Sequence, residues 1–238
     1  MKPLALTVAA VALAGCASVG PSERGDVMRS IVASTVQLRA ERDGGGRRAA
    51  SGVVVAVDAS RRRSWIVTAR HFLDPGTRQH VSVTGAAARG RAAARIAALS
   101  DEADLALVEV EGLVLSAAVL KDHAQLGDEV WVVAFPFGRR LTVVRGNVSQ
   151  IASETADTAL AGPVRMVDAQ ASYGSSGGGV FDAATGRLLG IVEGYRTARL
   201  TLPTTPERTV DVPVPGETTV LPAASIRRFL EAAGLQRE

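Results

Sequence analysis

The sequence predicts an all-β protein closed by a single helix, and three observations carry that prediction. Short runs rich in Val and Ile recur along most of the 238 residues, at lengths that suit strands. Gly and Pro are scattered between these runs as turn residues would be, with no internal repeat. Only the C-terminal stretch keeps a helical spacing.

In chain order the predicted strands form two groups. The first holds "STVQLRA", "SGVVVAV", "SWIVTA", "HVSVTG", "AARIAAL" and "DLALVEV". The second holds "EVWVVAF", "LTVVRGNVSQI", "PVRMVDA", "RLLGIVEGY" and "RTARLTL". Pro136 and Pro163 mark strand starts or bends, because proline cannot donate to a sheet ladder. The segment "EGLVLSAAVLKDHAQLGD" separates the groups and joins two halves, residues 28–118 and 119–238. In "PAASIRRFLEAAGL", Ile226, Phe229 and Leu230 share a stripe, Ser225 is a candidate cap and Gly234 a stop. Strands in two groups with one closing helix suit a barrel or sandwich architecture.

The N-terminus reads as a targeting segment. Lys2 is followed by the short apolar run "LALTVAAVALAG" and then by Cys16, the only cysteine. The run is too short to span a bilayer, so residues 1–15 are expected to be a secretory signal. Leu13-Ala14-Gly15-Cys16 resembles the bacterial lipobox, which implies a lipidated Cys16 and a membrane partner. Residues 16–27 then read as a lipidated polar tether. With one cysteine no intrachain disulfide can form.

Composition argues against nucleic acid as a partner. The net charge is only +3 and aromatics are 4% of the chain, whereas a nucleic-acid surface gathers basic residues with interleaved aromatics. The one basic cluster, Arg61–Arg63, sits between serines and reads as a solvated hairpin tip.

Chemistry concentrates in "DAQASYGSSGGGVFD", residues 168–182, where Ser175 and Ser176 are boxed in by glycine. A serine hydroxyl needs a base and an orienting carboxylate to become a nucleophile. The histidines are His71, His80 and His123. Gly174-Ser175-Ser176-Gly177-Gly178 satisfies the G-x-S-x-G elbow of α/β-hydrolases, but that framework needs a histidine after the serine, and none follows His123. The order His, Asp, Ser remains, which is the order of the two-barrel serine proteases.

"TARHFLD", "DEADLALVEV" and "GSSGGGVFD" resemble the "TAxH", "DLAL" and "GNSGGP" boxes of trypsin-like serine proteases. Within them the sequence is most similar to the bacterial HtrA/Deg branch, through "AFPFG…GNVSQI" and "DAQASYGSSGGG". The resemblance runs over residues 30–232 and implies two six-stranded antiparallel β-barrels of the chymotrypsin type with a C-terminal helix. It implies His71 as general base, Asp104 as its orienting carboxylate and Ser176 as nucleophile. The amides of Gly174 and Ser176 would form the oxyanion hole, with Ser175 shaping the turn between them.

Asp101 and Glu102 are rival acids, but Asp104 directly precedes the apolar "LALV" that can bury it. Asp168 reads as a wall or turn residue. Gln170, at the base of the family's specificity pocket, is neutral and implies cleavage after small or medium apolar residues. Such chemistry requires neither metal nor cofactor, and the expected partners are polypeptide substrates.

The sequence departs from the family pattern in two places. Ser175 stands in place of the usual Asn, and Gly179 in place of a Pro, which is expected to loosen the oxyanion loop. HtrA-type chains continue into PDZ domains, and a chain ending at Glu238 is expected to lack one. Trimers are frequent in that family, but no residue here decides the oligomeric state. The resulting expectation is a lipid-anchored serine endopeptidase of the bacterial cell envelope, on the periplasmic face of the outer membrane in a Gram-negative host, acting on unfolded or exposed segments. The alternative is a protease-fold lipoprotein that binds or scaffolds with little catalysis.

Overall fold

Valine and leucine run continuously through several strands because those strands are buried on both faces. In "GVVVAV", Val53 and Val55 point to one apolar cluster and Val54 to another, as the two-residue repeat of a strand dictates. "LALV" divides the same way: Leu105 and Leu107 go to the first cluster, Ala106 and Val108 to the second. The molecule therefore has two barrel interiors and a third core between them.

The structure is a computed structural model that describes residues 21–42, 45–74, 79–85, 90–153, 159–203 and 208–235. The first closed barrel comprises β1 (Thr35–Arg42), β2 (Arg47–Asp58), β3 (Arg63–Ala69), β4 (Gln79–Gly85), β5 (Ala92–Leu99) and β6 (Leu105–Glu111), in the order β1-β2-β3-β6-β5-β4. β7 (Ala124–Gln125) follows, then β8 (Glu129–Ala134) and β9 (Thr142–Ile151). β10 (Ala161–Gly162) pairs with β7, and β11 (Val164–Asp168), β12 (Gly179–Asp182), β13 (Leu188–Leu202) and β14 (Arg208–Pro222) complete the strands among the described residues. The second barrel closes in the order β11-β14-β13-β12-β8-β9. The neighbouring strands of both barrels are antiparallel, so the fold is the two-barrel arrangement expected.

Helices α1 (Pro21–Ser34) and α2 (Ala223–Ala232) cover the seam between the barrels. Ile31 of α1 and Ile226, Phe229 and Leu230 of α2 join Val53, Val67, Val133, Phe181 and Ile191 in one cluster. Phe181 is fully buried there, so its truncation to alanine would cost about 3–5 kcal/mol. Gly234, with φ +77°, ends the second helix as expected. Ser225 does not cap it: the cap position is Pro222, without a side-chain bond, and the Ser225 hydroxyl accepts from Arg228.

Two further expectations change. Cys16 and residues 1–20 lie outside the described residues, and the polar tether expected as far as residue 27 is helical from Pro21 onward. α1 was not legible because Gly25 and three serines interrupt its apolar side. The hairpin tip is a turn through Arg61 and Arg62 as read, held by Ser60 Oγ and the Arg61 amide, which both donate to Asp58; Arg63 instead begins β3 and pairs with Glu109 and Glu111.

Candidate active site

The site is built on the register between β3 and β6. Ala69 pairs with Leu105, and one step further the Arg70 amide donates to the Asp104 carbonyl at 3.0 Å. The chain then enters a 3-10 turn, Arg70–Leu73, anchored by buried Phe72 and Leu73. That turn carries His71 over Asp104. The His71 amide donates to Asp104 Oδ1 at 2.7 Å, and ring Nδ1 meets Asp104 Oδ2 at 2.6 Å. A carboxylate bonded to both the backbone and the ring of one histidine fixes its orientation and tautomer.

The other ring nitrogen, Nε2, lies 3.1 Å from Ser176 Oγ, within hydrogen-bond reach. The hydrogen bond to Asp104 raises the His71 pKa above the usual imidazole value, against the opposing effects of partial burial and the nearby Arg48. Stabilising the imidazolium in this way makes the neutral ring a better proton acceptor.

Ser176 stands on a turn leading into β12 and is held from the other barrel by Ser51. The Ser51 amide donates to the Ser176 carbonyl at 2.9 Å. The Ser51 hydroxyl donates to the Gly174 carbonyl at 2.9 Å and accepts from the Phe135 amide at 2.8 Å. Ser51 is fully buried, and its own carbonyl accepts from Thr68 Oγ1 at 2.7 Å. Gly177, with φ +81°, lies so close that an added Cβ would sit 2.1 Å from that carbonyl. A glycine is needed where two barrels approach this closely.

The peptide between Tyr173 and Gly174 has a fixed orientation. The Phe137 amide donates to the Tyr173 carbonyl at 2.7 Å, so the trans Gly174 N–H points the opposite way. Among the described residues neither the Gly174 nor the Ser176 amide has an acceptor, whereas the Ser175 amide donates to the Ser172 carbonyl at 2.9 Å. Two free amides beside a serine hydroxyl suit stabilisation of a developing oxyanion. Ser175 is buried and its Oγ accepts from the Ser172 amide at 3.2 Å, so it shapes the turn.

Gly179 is not a source of looseness. It lies buried in β12, paired with Val133 and Ile191, and an added Cβ would meet the Phe181 ring at 2.2 Å. The glycine makes room for a core aromatic, and the oxyanion loop in front of it is held by the Ser51 and Phe137 bonds just described.

The remaining candidates fall elsewhere. Asp101 is 99% exposed and pairs with Arg70, and Glu102 is exposed in the same turn. His80 is exposed on β4 and His123 in the connection between the barrels. Gln170 and Asp168 are exposed and line a pocket of about 590 Å³ with Glu129, Arg145 and Gly216, whose lining includes neither His71 nor Ser176. Residue reading missed Ser51 and Phe137. The only signals for them were the Ser-Gly step opening "SGVVVAV" and the Pro-Phe-Gly turn.

Residues 50–191 match the family model described as a trypsin-like peptidase domain. No curated protein matches the sequence. Among solved structures, the serine endoprotease from Yersinia pestis superimposes with a TM-score of 0.67 at 18% identity, over 90% of this chain and 67% of that one. An inactive serine-to-alanine mutant of Rv3671c from M. tuberculosis H37Rv gives a TM-score of 0.63 at 18% identity, over 94% of this chain and 99% of that one. At such identities the likeness is one of fold.

Proposed function

On the premise that this chain belongs to the family of trypsin-like peptidase domains, we propose that it is a serine endopeptidase acting through Ser176, His71 and Asp104. One observation carries the reading: His71 bridges Asp104 and Ser176 at 2.6 and 3.1 Å, in the chain order His, Asp, Ser. An intact relay of this kind favours catalysis over a purely scaffolding role.

In the proposed reaction Ser176 Oγ attacks the scissile carbonyl while His71 Nε2 takes its proton. The carbonyl oxygen becomes an oxyanion that accepts from the Gly174 and Ser176 amides. Collapse of the tetrahedral species breaks the C–N bond, and His71 returns the proton to the leaving amine. Water then attacks the acyl-serine, with the same histidine as base, and releases the acid and Ser176. Asp104 stays ionised and stabilises the imidazolium in both halves. Each oxyanion donor is worth about 10²–10³ in rate.

The finer reading follows the HtrA/Deg resemblance. The substrates are unfolded or exposed polypeptide segments. Lipidation of Cys16 would tether the enzyme in the bacterial cell envelope. Incubation with unfolded casein and a fluorophosphonate probe tests the core of this proposal. Casein loss and labelling should vanish in Ser176→Ala and persist in Ser175→Ala. Labelling that survives Ser176→Ala would overturn it.

A further inference from the structure

Phe137 and Tyr173 are the two aromatic side chains that the fold leaves exposed, at 61% and 55%. The remaining phenylalanines are buried, and the tryptophans and Tyr195 are half-buried. The two exposed rings stand together, with centroids 6.4 Å apart and planes tilted by 35°, within the range of an interacting aromatic pair. Phe137 is also one of two non-glycine residues with a left-handed backbone among the described residues, at φ 54°. A glycine adopts that conformation without strain, and a ring so exposed adds nothing to a core. Strain retained to present an exposed side chain points to a function rather than to folding.

The pair borders a pocket of about 260 Å³ whose opposite wall is the β1–β2 hairpin. The floor is tight: a Cβ added at Gly138 would sit 2.4 Å from that of Ala49. The β1–β2 register sets Arg39 opposite Ala49 and Glu41 opposite Arg47, and cross-strand partners share a face. The cations on that wall are occupied. Arg39 donates to the Gly138 carbonyl and to Gln37, and Arg47 pairs with Glu41 at 3.5 Å. The pocket therefore offers a ligand ring surface rather than free charge. Its volume is below the roughly 300–1,000 Å³ of small-molecule sites, so it suits a single side chain. It also adjoins the reacting atoms. Tyr173 precedes Gly174 of the oxyanion peptide, and Arg48, next to Ala49, donates to the His71 carbonyl at 3.0 Å. In the proposed reaction His71 delivers its proton to the leaving amine, so the departing fragment lies on the His71 side of the serine turn.

We infer that Phe137 and Tyr173 form a specificity site for the leaving fragment, which takes an aromatic side chain from the first or second residue after the scissile bond. An extended chain advances about 3.3 Å per residue. Because Tyr173 is the immediate neighbour of Gly174, only residues close to the bond come level with the two rings. A third ring covers the apolar surface that Phe137 and Tyr173 leave to water, and aromatic pairing contributes beyond the area buried. Contacts made here hold the scissile bond in place against Ser176. The inference rests on the serine-peptidase reading and narrows its substrate class to chains with Phe, Tyr or Trp within two residues after the cut.

The test uses quenched fluorogenic peptides with one sequence before the scissile bond and Ala, Glu or Phe at the first or second position after it. The full-length chain should cleave the better Phe peptide with kcat/KM at least about tenfold above its Ala counterpart, the increment of one ring buried on an aromatic pair. That ratio should fall below about threefold in Phe137→Gly and in Tyr173→Ser. Each ratio is taken within one variant, so a change in overall rate does not enter it. Tyr173 is exposed and outside the left-handed region, so Tyr173→Ser carries the test if Phe137→Gly fails to fold. On Ser176→Ala the Phe peptide should bind about tenfold more tightly than the Ala peptide by fluorescence anisotropy, a readout that requires no chemistry. Equal binding of the two peptides overturns the inference whatever becomes of the enzymatic reading, and so does a Phe preference undiminished in both variants. A preference for Glu over Phe would give the pocket to Arg47 instead of the rings and overturn it as well. So would a concentration-dependent dimer lost in Tyr173→Ser, which would make a second copy the occupant. Absent hydrolysis and labelling, with ring-dependent binding intact, would overturn only the enzymatic reading.

Discussion

Ser51 and Ser176 lie 125 positions apart in the chain, yet the Ser51 amide donates to the Ser176 carbonyl at 2.9 Å across the seam between the barrels. The Ser51 hydroxyl then ties Gly174 and Phe135 together at 2.9 and 2.8 Å. The turn that carries the serine is therefore anchored from the opposite barrel.

Replacing Ser51 by alanine leaves a buried carbonyl and a buried amide without their partner. Each such group costs about 1–3 kcal/mol. The expected outcome is a lower denaturant midpoint with an unchanged m-value, together with a kcat reduced by about tenfold or more as the oxyanion peptide loses its support. An S51A protein with wild-type stability and kcat would rule out this role.

The pH profile follows from the His71–Asp104 bond. The His71 pKa is raised by that bond above its usual value, and only the neutral ring accepts the Ser176 proton. Activity should therefore fall as pH drops through the raised value, giving an acid limb above pH 6.5. Stability has the opposite sign: this group's contribution is full below the unfolded imidazole value and fades as pH rises through the folded one. In Asp104→Asn the acid limb should shift to lower pH while kcat falls by about 10⁴. A pH–rate profile of both proteins checks this, and an unmoved acid limb in the variant contradicts it.

Arg39 supports the oxyanion peptide at one remove. Its Nη2 donates to the Gly138 carbonyl at 3.1 Å and its Nε to Gln37 at 2.9 Å, while Gln37 donates to the Arg139 carbonyl at 3.0 Å. These bonds clamp the turn whose Phe137 amide holds Tyr173, with Phe137 itself in the left-handed region at φ 54°. Arg39→Ala should lower kcat by about tenfold with little change in KM, as expected for a group acting only through transition-state stabilisation. Loss confined to KM would assign Arg39 to substrate binding instead.

Gly179→Ala tests the packing behind the serine. The added methyl meets the Phe181 ring, and overpacking of this kind costs about 1–3 kcal/mol. For a chain of this size that lowers Tm by roughly 2–12 °C. An unchanged Tm would show that the ring yields freely.

The architecture and the His71–Asp104–Ser176 constellation were legible because each depends on local patterns in a recognisable order. Valine runs betray strands buried on both faces, and three short boxes with domain-scale spacing lead to one site. What escaped was of two kinds. β14 carries Pro213, Pro215 and Gly216, and β12 hides in a glycine run, so neither shows the composition of a strand although the ladder accommodates both. Ser51 and Phe137 act through bonds to residues distant in the chain, and no local pattern encodes a partner on the other barrel. Gly179 looked like added freedom because the Phe181 ring that fills its missing side chain is a tertiary neighbour.

His71 and Asp104 belong to one barrel and Ser176 to the other, so competence resides in a joint. A shift of less than an ångström between the two halves would open the 3.1 Å approach of imidazole to hydroxyl before either barrel lost a strand. Inactivation on warming should thus precede the melting of the sheets, and the apolar seam beneath the two helices becomes the component that sets the working temperature.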